Sequence, residues 1–429
     1  MHKDIRDLES MSQEQLDALV SLHNRYLDGR LGGRMAVLEN IDLRGLSLKN
    51  QNLSHAKFSG CLMAFMNLSR ANFNSAELYA CDLSNSNLNK TIFTRADLRG
   101  ARIENANLEG ADLERADLRK GGIATMGDLS SGQSAVNFRG ANLSGARLAG
   151  SMASFADFSD ATLTGAHMHK ADLSGATLEG ANLTNADMRG VRLAGANVKS
   201  AIFTGVKTSQ IDQIEVSFEN AITDENIGVS VSDLAEPLAQ LLEYHREWLK
   251  TKGAKGQQLD LSGIDMRAIG SLKMEHLTAI KAIGAKFFGL NMYKIQMQSA
   301  VLDDSDFRDC DLEYADLRAS SFKSANFSHA NLKNADCGAL MLGGETTNRF
   351  NPCDFSNGVL RYTNLAGTSL KNAIFKDADL SFANLSGCDL QGADFSGAVL
   401  HNTNLDNTNT DGALFDKDES KPVFTIPKE

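Results

Sequence analysis

From Leu38 to Phe203 a large apolar residue recurs at every fifth position, running Leu43, Leu48, Leu53, Phe58, Met63, Leu68 and onward. Two positions before each stands a small residue, most often alanine, as at Ala96, Ala101, Ala106, Ala111 and Ala116. Asp or Asn lies between the two, and polar residues with frequent glycine follow, as in Ala111-Asp112-Leu113-Glu114-Arg115. A period of five fits neither a helix at about 3.6 nor a continuous strand at about 2. It fits a short strand followed by a tight turn. The small and large residues point to one side of that strand and the Asp or Asn to the other. Gly, Asn and Ser suit the corner that follows. Stacked coils of this unit bury the small/large pairs along a central axis, which makes a β-solenoid.

A second period gives the number of sides. Phe287, Phe307 and Phe327 are 20 residues apart, as are Phe355, Phe375, Phe395 and Phe415. Each Phe is expected to stack on the next, about 4.8 Å away. Twenty residues at five per side means four sides. From Phe327 to Phe355 the two ladders are offset by one coil and a remainder, which assigns an eight-residue excursion to the segment 343–352. The pattern also fails between Leu118 and Phe138 while its frame survives, so 120–136 is either an irregular coil or a loop of matching length. Loops on rigid scaffolds are common places for function.

Two helices interrupt the repeat. Ser12 to Leu27 opens with a capping box, Ser12 with Gln15, and carries Leu16, Leu19, Val20, His23, Tyr26 and Leu27 on one face. A second is expected from Asp233 to Lys250, with Leu238, Leu241, Leu242, His245, Trp248 and Leu249. His23-x-x-Tyr26-Leu27 matches His245-x-x-Trp248-Leu249, and Gly33 to Leu43 matches Gly256 to Met266 without a gap. The chain thus reads as a tandem duplication of helix followed by solenoid. Each helix is expected to cover an open first coil, whose unpaired backbone groups need a lid. The His/aromatic pairs belong to that lid. The stretch 268–286 is degenerate and fits either a coil or a short helix.

The repeat resembles the pentapeptide-repeat family, whose motif is commonly written A-[DN]-L-x-x. The resemblance implies an all-β right-handed quadrilateral β-helix with four pentapeptides per coil. Here it would form two tandem solenoids with short capping and linker α-helices. The expected organisation is an N-terminal helix and cap at 1–37 and a first β-helix at 38–205. A linker with the second helix at 233–250 fills 206–258, a second β-helix fills 259–415, and a tail occupies 416–429. The resemblance says little about function, because one fold hosts many.

Composition narrows the function classes. The 429 residues include 43 basic and 54 acidic side chains, a formal net charge of -11, which argues against wholesale binding of nucleic acid or anionic membranes. No run approaches the length of a membrane-spanning helix and no secretion signal stands at the start, so a cytoplasmic location is expected. Six Cys are no disulfide framework. Cys61 and Cys81, 20 apart at the small inward position, should stack, and their separation would permit a disulfide. Cys310, Cys353 and Cys388 take the same slot, where Cys replaces Ala as a small core residue. No nucleophile elbow, Walker loop, zinc spacing or dinucleotide fingerprint appears, and a filled interior leaves no substrate pocket. The chain is therefore expected to be no enzyme and to need no cofactor or metal. His167 and His169 flank Met168 and lack a third ligand nearby. Asn-x-Ser/Thr sequences, as at Asn52, Asn67 and Asn182, are by-products of the repeat.

Charge layout supplies the candidate surfaces. Residues 1–220 hold 23 basic and 25 acidic side chains, and residues 221–429 hold 20 and 29. In the acidic second half, Asp303, Asp304, Asp306, Asp309, Asp311, Glu313 and Asp316 crowd into less than one coil. In the first half Arg99 stacks on Arg119, with Arg139 above if the frame persists, and Arg95 stacks on Arg115. Asp97 and Asp117 run between these columns, which reads as a salt-bridge ladder or a shallow docking stripe.

The leading expectation is a non-catalytic scaffold for a protein partner of unspecified identity. The family resemblance adds a rival, since some such proteins look like duplex DNA and protect or inhibit type II topoisomerases. Against it stand the tail Lys421-Pro422-Val423-Phe424-Thr425-Ile426-Pro427, which forms no dimerising helix, and the scarcity of acids at 20-residue spacing beyond Asp316/Asp336. A third reading is a bacterial effector secreted by an uncleaved signal.

Overall fold

Each five-residue unit turns its corner through a residue in the left-handed conformation. Asn50, Arg70, Lys90, Arg95 and Arg115 hold φ between 56° and 60°, and glycine takes the same place at Gly100, Gly110 and Gly145. Only glycine adopts this region freely, which explains its frequency at the fifth position. The corner is primed by the Asp or Asn between the inward residues. Its Oδ1 accepts the backbone N–H two residues on, as Asp82 does from Ser84 at 3.0 Å and Asn72 from Asn74 at 2.9 Å. A Ser or Thr at that second position adds its hydroxyl, as Ser54 does to Asn52 at 2.6 Å and Thr184 to Asn182 at 2.7 Å. The Asn-x-Ser/Thr sequences are therefore side-chain turns.

The computed structural model describes residues 8–121, 135–211, 216–218, 221–225, 228–342 and 349–416. Successive coils pair in parallel, one full turn of the chain apart, as in Asp42 with Leu62, Leu62 with Asp82, and Asp82 with Arg102. Leu43 N–H donates up to Leu62 O at 2.8 Å, and Leu62 N–H donates down to Ile41 O at 3.0 Å. Four such bridges per coil make four walls. The small and large residues are buried inside, with Ala96, Leu98, Ala101, Ile103 and Phe93 all fully enclosed. The chain divides into two units, Met1–Asn226 and Ile227–Glu429, each with its own core.

Both units begin alike. Helix α1, Gln13–Leu27, is capped by Ser12 with the reciprocal Gln15 bond. Gln13 reaches the first coil with both ends of its amide, donating to Ser47 O at 2.9 Å and accepting Ser47 N–H at 2.8 Å. Helix α2 spans Leu238–Lys250 and starts later than Asp233. Pro237 sets its first turn, and the residue before a proline avoids the helical region, while Val231–Asp233 forms a separate 3₁₀ turn. A short strand precedes each helix and pairs in parallel with the first coil: Glu9–Ser10 with Ile41–Asp42, and Val229–Ser230 with Ile264–Asp265.

Both units also end alike. In the regular ladder a corner N–H donates to a carbonyl of the next coil, as Asn50 does to Ser69 at 3.0 Å. At the last coils an Asp carboxylate takes the carbonyl's place. Gly205 N–H donates to Asp224 at 3.0 Å, and Gly397 N–H to Asp416 at 2.8 Å. Of the expected tail 416–429, only Asp416 is among the described residues.

The first interruption keeps the five-residue frame, as expected, and the second is longer than expected. Asn137 pairs with Arg102 and Met152 with Asp117, so the first excursion inserts three whole five-residue units into one coil. A whole number of units leaves the frame intact while every later residue moves to another wall. Residues 122–134 of this excursion lie outside the description. In the second unit Asp354 pairs with Ser321, so that excursion inserts thirteen positions instead of eight. The Phe ladder accordingly changes wall. Phe355 stacks on Phe322 at 5.1 Å, whereas Phe327 meets it edge-on at 5.6 Å. Beyond that step the ladder continues at 5.0, 4.8 and 4.9 Å through Phe375, Phe395 and Phe415. The excursion leaves and returns as an antiparallel pair, Leu340–Leu342 with Arg349–Asn351, and 343–348 lie outside the description. The stretch 268–286 forms coil, with one extra residue absorbed by a 3₁₀ turn at Arg267–Ile269.

Candidate interaction surface

Position within the five-residue unit decides what an arginine does. At the first corner position it stands two residues after the turn-forming Asp, on the same side of the strand. From there Nε and Nη2 grip both carboxylate oxygens. Arg44 with Asp42, Arg99 with Asp97, Arg119 with Asp117, Arg189 with Asp187 and Arg318 with Asp316 all make this clip, at 2.6 to 2.9 Å. Such two-pronged pairing suits the planar guanidinium. The hydrogen bond from Arg44 holds the Asp42 carboxyl below its ordinary range, and that from Arg189 brings Asp187 to about 2.

At the second corner position the side chain leaves the strand and finds no such acid. Arg95 and Arg115 occupy that position on one edge, and Arg70 and Lys90 occupy it on the preceding edge. All four are exposed and make no ion pair with a described residue. Glycine stands in the coil beyond Lys90 and beyond Arg115, in ordinary contact range of their stems. A Cβ at Gly110 would lie 3.5 Å from Lys90 Cγ, and one at Gly150 would lie 3.7 Å from Arg115 Cγ. The wall between these edges carries Ile92, 38% exposed, with Asn72 below it and Asp112 above. The wall's acids are engaged: Asp112 pairs with Arg147 at 3.2 Å, and Glu114 accepts from the same guanidinium.

The arginine columns are thus placed as two kinds. Arg99 and Arg119 stack in one column but are clipped, and Arg99 also lies 3.7 Å from Asp117. Arg139 does not continue that column. The three-unit excursion carries it to the next wall, above Glu104, where it pairs with Asp157 at 3.0 Å. Arg70 and Lys90 were not singled out in the sequence. Their signal is the one-coil spacing of two cations at the corner position.

The acidic run of the second unit does not form one surface. One coil encircles the axis, so acids adjacent in sequence point to different walls. Asp303 and Asp304 lie on one wall, Asp306 and Asp309 on the next, Asp311 and Glu313 on the third, and Asp316 on the fourth. Several are already paired. Asp303 accepts from Ser321 and from the Lys323 backbone, Asp311 from Asn331, and Asp316 from Gln298 and Arg318. Asp306 and Arg308 form a buried clip, 5% and 4% exposed. Burial alone would raise the Asp306 carboxyl, but the guanidinium of Arg308 overcomes it and holds the carboxyl below its ordinary range.

The sequence pattern of pentapeptide repeats matches residues 52–89, 81–119, 134–169, 166–205, 300–336, 350–381 and 373–409. These segments make up more than half of the chain. The chain belongs to the pentapeptide-repeat family. Members of this family fold as right-handed quadrilateral β-helices, and the four-walled coil is that architecture. Among solved structures, HetL, a pentapeptide repeat protein involved in heterocyst differentiation regulation from the cyanobacterium Nostoc sp. strain PCC 7120, is 19% identical. That match covers 94% of this chain and 96% of HetL, with a TM-score of 0.14. QnrB1, a plasmid-mediated fluoroquinolone resistance protein, is 18% identical over 44% of this chain and 91% of its own, with a TM-score of 0.22. A pentapeptide repeat protein of the Arabidopsis thaliana thylakoid lumen is 24% identical over 38% and 68%, with a TM-score of 0.11. No curated protein matches the chain.

The remaining candidate residues of this pentapeptide-repeat chain sit within its packing. His23 Nδ1 accepts the Ala36 N–H at 3.1 Å and Nε2 donates to Ser54 O at 3.1 Å. His245 repeats the arrangement with Leu259 at 3.1 Å and Thr278 at 3.0 Å. Tyr26 and Trp248 stack beside their histidines at 6.0 and 5.7 Å. Burial lowers both histidines from their ordinary value. All six cysteines are free and buried, and burial pushes the Cys81 and Cys310 thiols well up. His167 and His169 flank the buried Met168, with His169 Nδ1 3.7 Å from Asp187. Among the described residues no three metal-ligating side chains converge, and no helix is long and apolar enough to cross a membrane.

Proposed function

We propose that this chain is a non-catalytic scaffold that holds a protein partner against the first unit. The binding wall is the one bounded by Arg70 and Lys90 on one edge and by Arg95 and Arg115 on the other. The observation that supports this reading is the split between clipped and unclipped cations. Every corner arginine named above as a clip is consumed by its own turn, while these four cations meet no acid among the described residues and stand on a flat, rigid frame. Rigid side-by-side placement lowers the ordering cost of binding, and arginine is enriched where interfaces concentrate their energy.

A DNA-like surface draws less support. It calls for carboxylates repeating down a wall, and where Asp316 and Asp336 do repeat, Arg318 lies between them at 2.6 and 3.6 Å.

The test is affinity capture from native cells with three full-length baits. One is the natural chain, one carries Glu at Arg70, Lys90, Arg95 and Arg115, and one carries Glu at the clipped Arg44, Arg99, Arg119 and Arg189. The proposal expects a partner retained by the first and third baits and lost by the second. A partner set indifferent to the second bait overturns it.

A further inference from the structure

We infer that the wall between these edges recognises an acidic protein segment in which carboxylates flank a large apolar side chain. This rests on the scaffold reading above and adds the chemistry of the partner. Along one strand the order is Lys90-Thr91-Ile92-Phe93-Thr94-Arg95, with Phe93 buried in the core and Ile92 outward and 38% exposed. An exposed apolar side chain therefore stands between a cationic edge on each side. Arg70 lies one coil below Lys90, and Arg115 one coil above Arg95, so each edge offers two cations about 4.8 Å apart along the axis. That spacing lets neighbouring carboxylates of one segment meet successive coils.

The acids around Ile92 are tied to partners other than these four cations. Asn72 lies below it, while Asp112 and Glu114 are held by Arg147. Glu109, beside the Lys90 edge, accepts from Asn89. Next to the Arg95 edge, Asp97 and Asp117 are clipped by Arg99 and Arg119. Among the described residues, the four cations consequently have no acid of their own to leave when a partner arrives.

Acidic protein fits better than nucleic acid. Affinity for a nucleic-acid backbone grows with the number of phosphates neutralised, and four cations set as two pairs on separate edges form no continuous track for a phosphate run. Ile92 at the wall's centre has no partner on a phosphate backbone, but it complements a leucine or valine on a peptide.

The experiment is fluorescence anisotropy on the full-length chain. The probe is a short labelled peptide with glutamates on both sides of a single leucine. Single-stranded and duplex DNA oligonucleotides serve as competitors. Saturable binding is expected, weakened at least about tenfold by Glu at Arg70, Lys90, Arg95 and Arg115. It should weaken severalfold with Ile92→Ser or with serine in place of the peptide leucine. Glu at Arg44, Arg99, Arg119 and Arg189 should leave it within about twofold. Far-ultraviolet circular dichroism and hydrogen exchange verify that each variant keeps its coils. No binding, binding indifferent to Ile92 and the peptide leucine, or displacement by DNA at lower concentration than by unlabelled peptide overturns the inference. The capture comparison still decides the scaffold reading in each case, so the two fail separately.

Discussion

Arg119 Nη2 closes on Asp117 at 2.7 Å, two residues away on the same strand, while Arg115 at the preceding corner closes on no described acid. Both side chains are exposed. Their difference is one of phase in a five-residue unit, and it separates turn clips such as Arg119 from available cations such as Arg115.

The clip itself contributes little to stability. An exposed ion pair is worth about 0–1 kcal/mol. A double-mutant cycle of Asp117→Ala and Arg119→Ala, read by urea denaturation, should give a coupling inside that range. The turn bond matters more where it also satisfies a buried hydroxyl. Asp82→Ala strands the Ser84 hydroxyl and backbone N–H, and should cost about 1–3 kcal/mol, whereas Asp82→Asn retains the acceptor and should cost much less.

The end caps should act locally. Asp416→Ala leaves Gly397 N–H without its carboxylate. Hydrogen exchange should accelerate in the last coil of the second unit by a factor corresponding to about 1 kcal/mol. Asp224→Ala should do the same at Gly205 in the first unit and leave the second untouched. Effects spreading through either core would contradict this assignment.

The two buried histidines make stability pH-dependent. Nδ1 of each accepts a backbone N–H, which an imidazolium cannot do. Their folded values lie below the ordinary 6.5, so the unfolded chain takes up protons first as pH falls. Their stabilisation is complete above 6.5 and is lost as pH drops from there through the lowered folded values. The urea midpoint should fall between about pH 8 and about pH 5, and His23→Gln with His245→Gln should flatten that dependence. Asp42 and Asp187, whose folded values are also depressed, lose their contribution only in the more acidic range below about 4.

The aromatic ladder is the most costly feature to remove. Phe375 stacks on Phe355 at 5.0 Å and on Phe395 at 4.8 Å, within a filled axis. Phe375→Ala should cost the second unit about 3–5 kcal/mol, with Phe375→Leu costing less. Hydrogen exchange should show protection lost in the second unit and retained in the first.

Much of this architecture is legible in the sequence because the repeat writes its own geometry. The inward Ala/Leu pairs, the four sides implied by the regular Phe spacing, and the Ser12/Gln15 start of α1 all follow from local rules. The excursions hide for a stated reason. Three added units preserve a five-residue frame, so nothing in the pattern shows that Arg139 has moved to another wall. Phe322 and Phe327 are equally good candidates to precede Phe355, and choosing Phe327 shortens the second excursion by one unit. The acidic run from Asp303 to Asp316 misleads because closeness along the chain means dispersal around the axis. Surface patches follow the column that rises coil by coil, where Arg70 and Lys90 were readable. The clip that separates Arg119 from Arg115 requires side-chain geometry, as do the carboxylates of Asp224 and Asp416 standing in for carbonyls.

The division between clipped and available cations can be read directly. The full-length chain would be treated with an arginine-selective dicarbonyl and modification rates followed residue by residue by mass spectrometry. Arg44, Arg119 and Arg189 are 51%, 51% and 67% exposed in their side chains, so burial does not protect them. Faster modification of Arg70, Arg95 and Arg115 than of these three is the expected result. Equal rates across the two sets, or faster reaction at the clipped positions, would contradict the account.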